Sequence, residues 1–295
     1  MKVAGRDLRP LRALPTRDAV EIIDQRALPH RLLMRTLASC EDVFTAIRDM
    51  WLRGAPLIGA AAAYGYALAA RQDPSDAALA RTALHLRAAR PTAVNLAWAL
   101  ERMHTRVMRA PPAERAALAW PEADAICEDD VAVNAAIGRH GLPLLHAIAA
   151  RRPGPVRVLT HCNAGWLATV DWGTATAPIY QAHRAGLPVH VWVDETRPRN
   201  QGASLTAFEL REEGVPHTVI ADNAGGHLMQ HGQVDAVLVG CDRVTARGDV
   251  CNKIGTYLKA LAAHDNGVTF FVAMPCSTLD LRLHDGLHEV PIEER

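Results

Sequence analysis

The sequence predicts an α/β protein in which a smaller, mostly helical N-terminal part precedes a parallel, doubly wound sheet with helices on both faces. Three observations lead there. Beyond residue 155, short β-branched runs alternate with helical segments, the pattern of a sheet built from βαβ units. Before residue 150 the apolar residues recur at helical spacing and alanine is abundant. Between the two, Arg151-Arg-Pro-Gly-Pro155 combines charge, two prolines and a glycine, which reads as a hinge. A chain of 295 residues is long enough for two such domains at ~150 residues each, divided here as 1–150 and 151–295.

Taken in order, residues 1 to 38 mix short apolar runs (Val20-Glu-Ile-Ile, Leu32-Leu-Met) with prolines and charges, suggesting a small sheet or arm. From Ser39, a capping residue, Val43, Ile47 and Met50 recur at helical spacing until Gly54 and Pro56 stop the helix at RGAP. A second helix follows from Leu57, where Gly59 and a run of alanines imply close backbone packing. At Arg90-Pro91-Thr92 the pattern repeats: the residue before proline is held out of the α region, Thr92 can cap, and Ala93 to Met103 is helical. Arg53 and Arg90 therefore each stand just ahead of a helix N-terminus. Residues 104–150 are helical by composition, with breaks expected at Pro111-Pro112 and Pro121. The predicted strands are Val156 to Thr160, Val189 to Val193, His217 to Ala221, Ala236 to Gly240 and Val268 to Ala273. Ligands of open α/β sheets bind at the carboxyl edge where strand order reverses, which singles out the polar residues after each strand.

Composition narrows the partners. Lysine plus arginine equal aspartate plus glutamate at 32 each, so the chain lacks the basic excess of a nucleic-acid or anionic-membrane binder. The N-terminus has no long apolar h-region, and no stretch supplies the roughly 18 apolar residues of a membrane span. A soluble, intracellular protein, expected in the cytoplasm, with a small neutral or locally anionic substrate and no nucleic-acid or membrane partner, fits better. The six cysteines form no C-x-x-C pair and the fourteen histidines no recognisable ligand set, so neither a disulfide framework nor a metal is assigned.

Cys162, in THCN, lies where a strand ends and a helix is expected to begin, a place where backbone N–H groups stabilise thiolates and receive anions. The bland alternative is a cap with a buried cysteine. Asp242, in VGCDR, follows another strand; alone it reads as an N-cap, but opposite a thiol in a cleft screened from water its pKa would rise and it would serve as a general acid. Lys253 stands at a glycine-flanked helix start suited to phosphate, without the order of a Walker A loop. Asp194 to Gly202 forms an arginine-rich turn carrying Gln201, whose bland reading is a solvated loop.

Together these pieces resemble the methylthioribose-1-phosphate isomerase family of methionine salvage. The resemblance is carried by AIRDMWLRGAPLIGAAAAYG (46–65), RPTAVNLAWAL (90–100), VLTHCNAGWLATVDWGTA (158–175), VDETRPRNQGASLTAFEL (193–210), ADNAGGHLM (221–229) and VGCDRVTARGDVCNKIGTYLKALA (239–262). It implies a Rossmann-like C-terminal domain, a site in the cleft between two domains, a homodimer, and aldose-to-ketose conversion without metal or organic cofactor. It also implies that Cys162 and Asp242 are the catalytic pair, and that Arg53, Gly54, Ala55, Arg90, Gln201, Asn252 and Lys253 contact substrate.

Because the anomeric oxygen is esterified, the sugar cannot open to a free aldehyde; its ring oxygen must be protonated while hydrogen moves from C2 to C1. Three departures stand out. Family members generally continue beyond PIEER, so a further C-terminal segment is expected; Ser204 replaces a common arginine and Asn200 a common leucine. Relatives acting on ribose 1,5-bisphosphate or 5-deoxyribose 1-phosphate share the Cys/Asp pair, so what occupies C5 separates them. A methylthio group calls for apolar walls, for which Trp51, Trp166 and Met274 are candidates. Regulatory subunits of a translation-initiation exchange factor share the fold and provide a non-catalytic alternative.

Overall fold

In the computed structural model, residues 1–90 and 93–291 are described. The expected N-terminal arm is a hairpin of β1 (Lys2–Val3) and β2 (Arg6–Asp7), followed by an antiparallel sheet of β3 (Leu11–Ala13), β4 (Val20–Ile23) and β5 (Met34–Leu37). Ser39 caps α1 (Cys40–Arg48) in a reciprocal box with Asp42. The chain then enters α2 (Ala55–Gln72), buried along nearly its whole length. Its alanines let α1, α3 (Asp76–Ala88) and α4 (Val94–Val107) approach closely. The expectation that Thr92 caps α4 falls outside the described residues.

The break expected at Pro121 does not occur. One helix, α5 (Pro112–Ala149), runs through both Pro121 and Pro143. Each interior proline costs about 3 kcal/mol. That cost is outweighed because α5 buries Trp120 and Ile126 in the N-terminal core and Leu145 in the sheet's core, large side chains worth roughly 1.5–3 kcal/mol apiece.

After α5 the five predicted strands form one parallel sheet: β6 (Val156–Thr160), β7 (Val189–Asp194), β8 (His217–Ile220), β9 (Ala236–Val239) and β12 (Thr269–Val272), in the order β12-β9-β6-β7-β8. Period-two alternation divides their side chains between two cores. Val158, Val191 and Leu238 face a core shared with α6 (Thr176–Arg184) and α7 (Ala207–Glu212), while Leu159, Val237 and Val239 face one shared with α8 (Ala224–Gln230) and α9 (Thr256–Asp265). A small accessory sheet of β10 (Arg243–Thr245), β11 (Val250–Cys251) and β13 (Leu279–Asp280) follows the carboxyl end of β9. Strand order reverses between β6 and β9, so the residues just beyond those two strands share the crevice where ligands of such sheets bind.

Candidate active site

The β6 edge supplies Cys162, but not as the sequence suggests. No helix begins there; a short 3-10 turn occupies Trp166–Ala168 and the next α-helix waits until Thr176. Cys162 adopts φ 67°, a conformation uncommon for a side chain with a Cβ. It is held by two side chains from the β7 side: its N–H donates to Thr196 Oγ1 at 2.8 Å and its carbonyl accepts from Thr206 Oγ1 at 2.7 Å.

The apolar run after it is organised by the buried carboxylate of Glu209, on α7. Glu209 accepts from Asn163 Nδ2 (2.8 Å), Trp166 N (2.9 Å), Leu167 N (2.9 Å) and Tyr180 Oη (2.9 Å). These bonds take the place of the helical ones the apolar pattern suggested. Burial raises Glu209 to about 7, against the lowering effect of those donors. Glu209 is a site-building residue that sequence reasoning missed, because its signal is one carboxylate inside an otherwise ordinary helix.

The β9 edge supplies Asp242. The next element is strand β10, so the N-cap reading fails; Asp242 N–H donates to Cys251 O at 2.9 Å, joining the acid to β11. Asp242 is exposed rather than screened, so water exclusion there requires bound substrate or closure. The hairpin returns the chain as Asn252 and Lys253 to the same opening, just before α9.

The opposite wall is cationic. Arg53 precedes α2, whose N-cap is Gly54 at φ 96°; a Cβ there would meet Ala168 O at 2.2 Å, so the turn closes against the Cys162 loop only with glycine. Arg53 is lowered from the usual arginine value by burial first, then by the positive charges of Arg199 and, more weakly, Arg90. Three guanidiniums thus share one region. Arg199 was not singled out from the sequence, because an arginine-rich turn reads as solvated. Gln201 sits one step further, at the start of the π-helical turn Gly202–Thr206 leading into α7.

A single cavity of about 680 Å³ gathers these pieces: Cys162, Asp242, Arg53, Gly54, Ala55, Arg90, Gln201, Asn252 and Lys253 all line it, with Arg199. Asp242 is close enough to raise the Cys162 thiol electrostatically, while Lys253 and Arg53 lower it. Burial dominates and pushes the thiol up to about 11, and the helix start that would favour a thiolate is missing. The apolar wall also differs from expectation. Trp166 is buried in the sheet's core and Trp51 carries Arg26 over its ring at 4.7 Å. Neither they nor Met274 line the cavity; Met50, Ile58, Ala168, Pro275 and Val290 do. Large aromatic rings reached the core because it offers the greater burial. Among the described residues no histidine, cysteine and carboxylate group is arranged to hold a metal ion.

A family model described as the initiation factor 2 subunit family matches residues 52–295. The chain is 64% identical over 295 residues to a methylthioribose-1-phosphate isomerase of Methylorubrum populi, covering 100% of this chain and 81% of that one. It is 60% identical over 301 residues to one of Rhodospirillum rubrum, covering 100% and 77%. The solved 5-methylthioribose 1-phosphate isomerase of Pyrococcus horikoshii OT3 superposes with a TM-score of 0.85 at 39% identity, over 98% of this chain and 81% of that one. An A. fulgidus protein titled translation initiation factor eIF-2B, subunit delta, superposes with a TM-score of 0.81, also at 39% identity, over 98% and 83%.

Proposed function

The chain belongs to the initiation factor 2 subunit family, and on that premise we propose that it is an isomerase converting 5-methylthio-ribose 1-phosphate to 5-methylthio-ribulose 1-phosphate in methionine salvage. The observation that carries this reading is identity of 64% along the whole chain to a protein of that name. The convergence of a thiol, an acid and several cations on one cavity supports it.

In the proposed mechanism Arg53 and Arg90, with the N-terminus of α2, hold the phosphate; guanidinium bonds to phosphate are charge-assisted and among the stronger ones. Asp242 gives a proton to the ring oxygen as its bond to C1 breaks. Hydrogen then moves from C2 to C1, and the C2 hydroxyl proton returns to Asp242, leaving a ketone at C2. The interconversion is redox-neutral within one molecule, so no electron carrier is consumed. Cys162 lies beside the migrating hydrogen. A thiol pushed up to about 11 is poorly suited to act as a base at neutral pH, which favours a direct hydride shift past an uncharged sulfur over proton abstraction by a thiolate.

We assign the remaining features to the same reading. Residues 1–150 and 151–295 are the two lobes, supported by a hydrophobic core drawn almost wholly from the first, although Met1, Val3, Ile23, Leu28 and Leu145 pack into the sheet's core and Val170 into the N-terminal one. The protein is a homodimer, supported by Ile254, Tyr257, Leu258 and Leu261, which leave an apolar stripe exposed along the start of α9. It is cytoplasmic, supported by six free cysteines and, among the described residues, by no helix long and apolar enough to cross a membrane.

The A. fulgidus likeness favours a second reading, a non-catalytic regulatory subunit. Incubation with 5-methylthioribose 1-phosphate, 5-deoxyribose 1-phosphate and ribose 1,5-bisphosphate in parallel separates the readings. The highest kcat/KM is expected for the methylthio sugar; no ketose from any of the three would favour the regulatory subunit.

A further inference from the structure

Beneath the cavity lies a buried ring that the proposed mechanism leaves unused. His161, next to Cys162, has no exposed side-chain surface, and both its ring nitrogens face acceptors: Nδ1 lies 2.8 Å from Asp194 Oδ2 and Nε2 lies 2.7 Å from the backbone carbonyl of Ile254. A carbonyl oxygen offers no proton, so Nε2 must carry one. Asp194 Oδ2 also receives Lys259 Nζ at 3.2 Å, and an ammonium on that oxygen keeps the carboxylate ionised, so Nδ1 carries the other.

The partners come from every side of the ring. Asp194 ends β7, Lys259 comes from α9 and also donates to the carbonyl of Asp222 beyond β8, and Ile254 directly follows Lys253. The Asp222 carboxylate in turn accepts from the N–H groups of Thr196 and Arg197, and Thr196 receives the Cys162 N–H. Gly255, at φ 100°, completes the fit: a Cβ there would stand 2.9 Å from His161 Cε1 and Nε2. Three segments therefore meet on one imidazole, the loop that carries it, the end of β7 and the Asn252-Lys253 loop, and the loop after β8 joins them through Lys259.

We propose that His161 is a positioning residue, a buried imidazolium that ties the Cys162 loop to the Asn252-Lys253 loop and, with Asp194 and Lys259, leaves one net positive charge under the cavity floor. The placement of Lys253 against the substrate depends on it. This rests on the isomerase reading for its catalytic consequence, though not for the protonation itself.

The test is nitrogen-15 NMR of the unaltered protein labelled at histidine, joined to kinetics of His161→Gln. In the buffer used for the kinetics, the solvent-protected ring is expected to show both nitrogens protonated. His161→Gln keeps one bond at most and is expected to lower kcat/KM about 100-fold, the usual consequence of a displacement near 1 Å, with a raised KM as the larger part. A neutral ring in active wild type overturns the proposal, as does a folded variant with unchanged KM. If the variant does not fold, the labelled wild type still decides. Wild type inactive on all three sugars with a doubly protonated ring would instead sink the isomerase reading and leave the clamp standing.

Discussion

The two walls of the cavity are built on opposite principles. One is carried by strand ends: Cys162 and Asp242 follow β6 and β9, neighbours in a parallel sheet, and their separation is set by strand spacing. The other is carried by segments ahead of helices, where Arg53 and Arg90 gather positive charge near helix N-termini. The first wall keeps its sulfur uncharged by burial, and the second crowds like charges together. A reacting wall of uncharged thiol and acid facing a cationic holding wall suits a substrate whose charge lies at one end and whose chemistry lies beside it.

That division yields a graded set of outcomes. Asp242→Asn is expected to cut turnover by roughly 10³-fold, in the range lost with an acid or base, and Cys162→Ser, which puts a polar hydroxyl where an uncharged sulfur lies beside the migrating hydride, by orders of magnitude as well, while calorimetric affinity for the sugar phosphate changes little in both. Parallel losses of turnover and affinity would erase the contrast between the walls. Arg53→Ala is expected to do the reverse, weakening binding about 100-fold through lost charge-assisted bonds, with the smaller change in kcat.

The neutrality of the thiol has its own signature. Because burial sets Cys162 near 11, its thiolate fraction, and with it alkylation by iodoacetamide, should climb about tenfold per pH unit between pH 7 and 10. Peptide mass spectrometry reads this against exposed Cys276; a Cys162 rate flat with pH would mean a thiolate already formed. The smallest effect belongs to Arg199→Ala. Its guanidinium is exposed at the cavity wall, so affinity is expected to fall only a few-fold, as for solvent-screened charges, and salt should abolish the difference.

The contrast also explains what could be read from the chain alone. Strand-borne features were legible: runs such as Val156 to Thr160 announce themselves by β-branching, and the polar residues after them fall at the ligand edge of any such sheet. The Ser39 cap and the RGAP turn were legible for the same reason, being local. The loop from Cys162 to Thr176 was not, because its apolar residues are satisfied by the distant Glu209 rather than by helix bonds. Pro121 misled because propensity sees the lost bond and not the burial of Trp120 beside it. Trp166 was misplaced because side-chain size does not say whether a ring faces the cavity or the core. His161 escaped notice since its charge depends on a carboxylate and a carbonyl that only the fold brings together.

The most direct test follows phosphorus-31 NMR of the unaltered protein mixed with 5-methylthioribose 1-phosphate. The signal of the anomeric phosphate should give way to that of a primary ketose phosphate, with no inorganic phosphate released and with Cys162→Ser leaving the starting signal unchanged. A persistent anomeric signal with wild type, release of inorganic phosphate, or conversion by the serine variant at the wild-type rate would contradict the account.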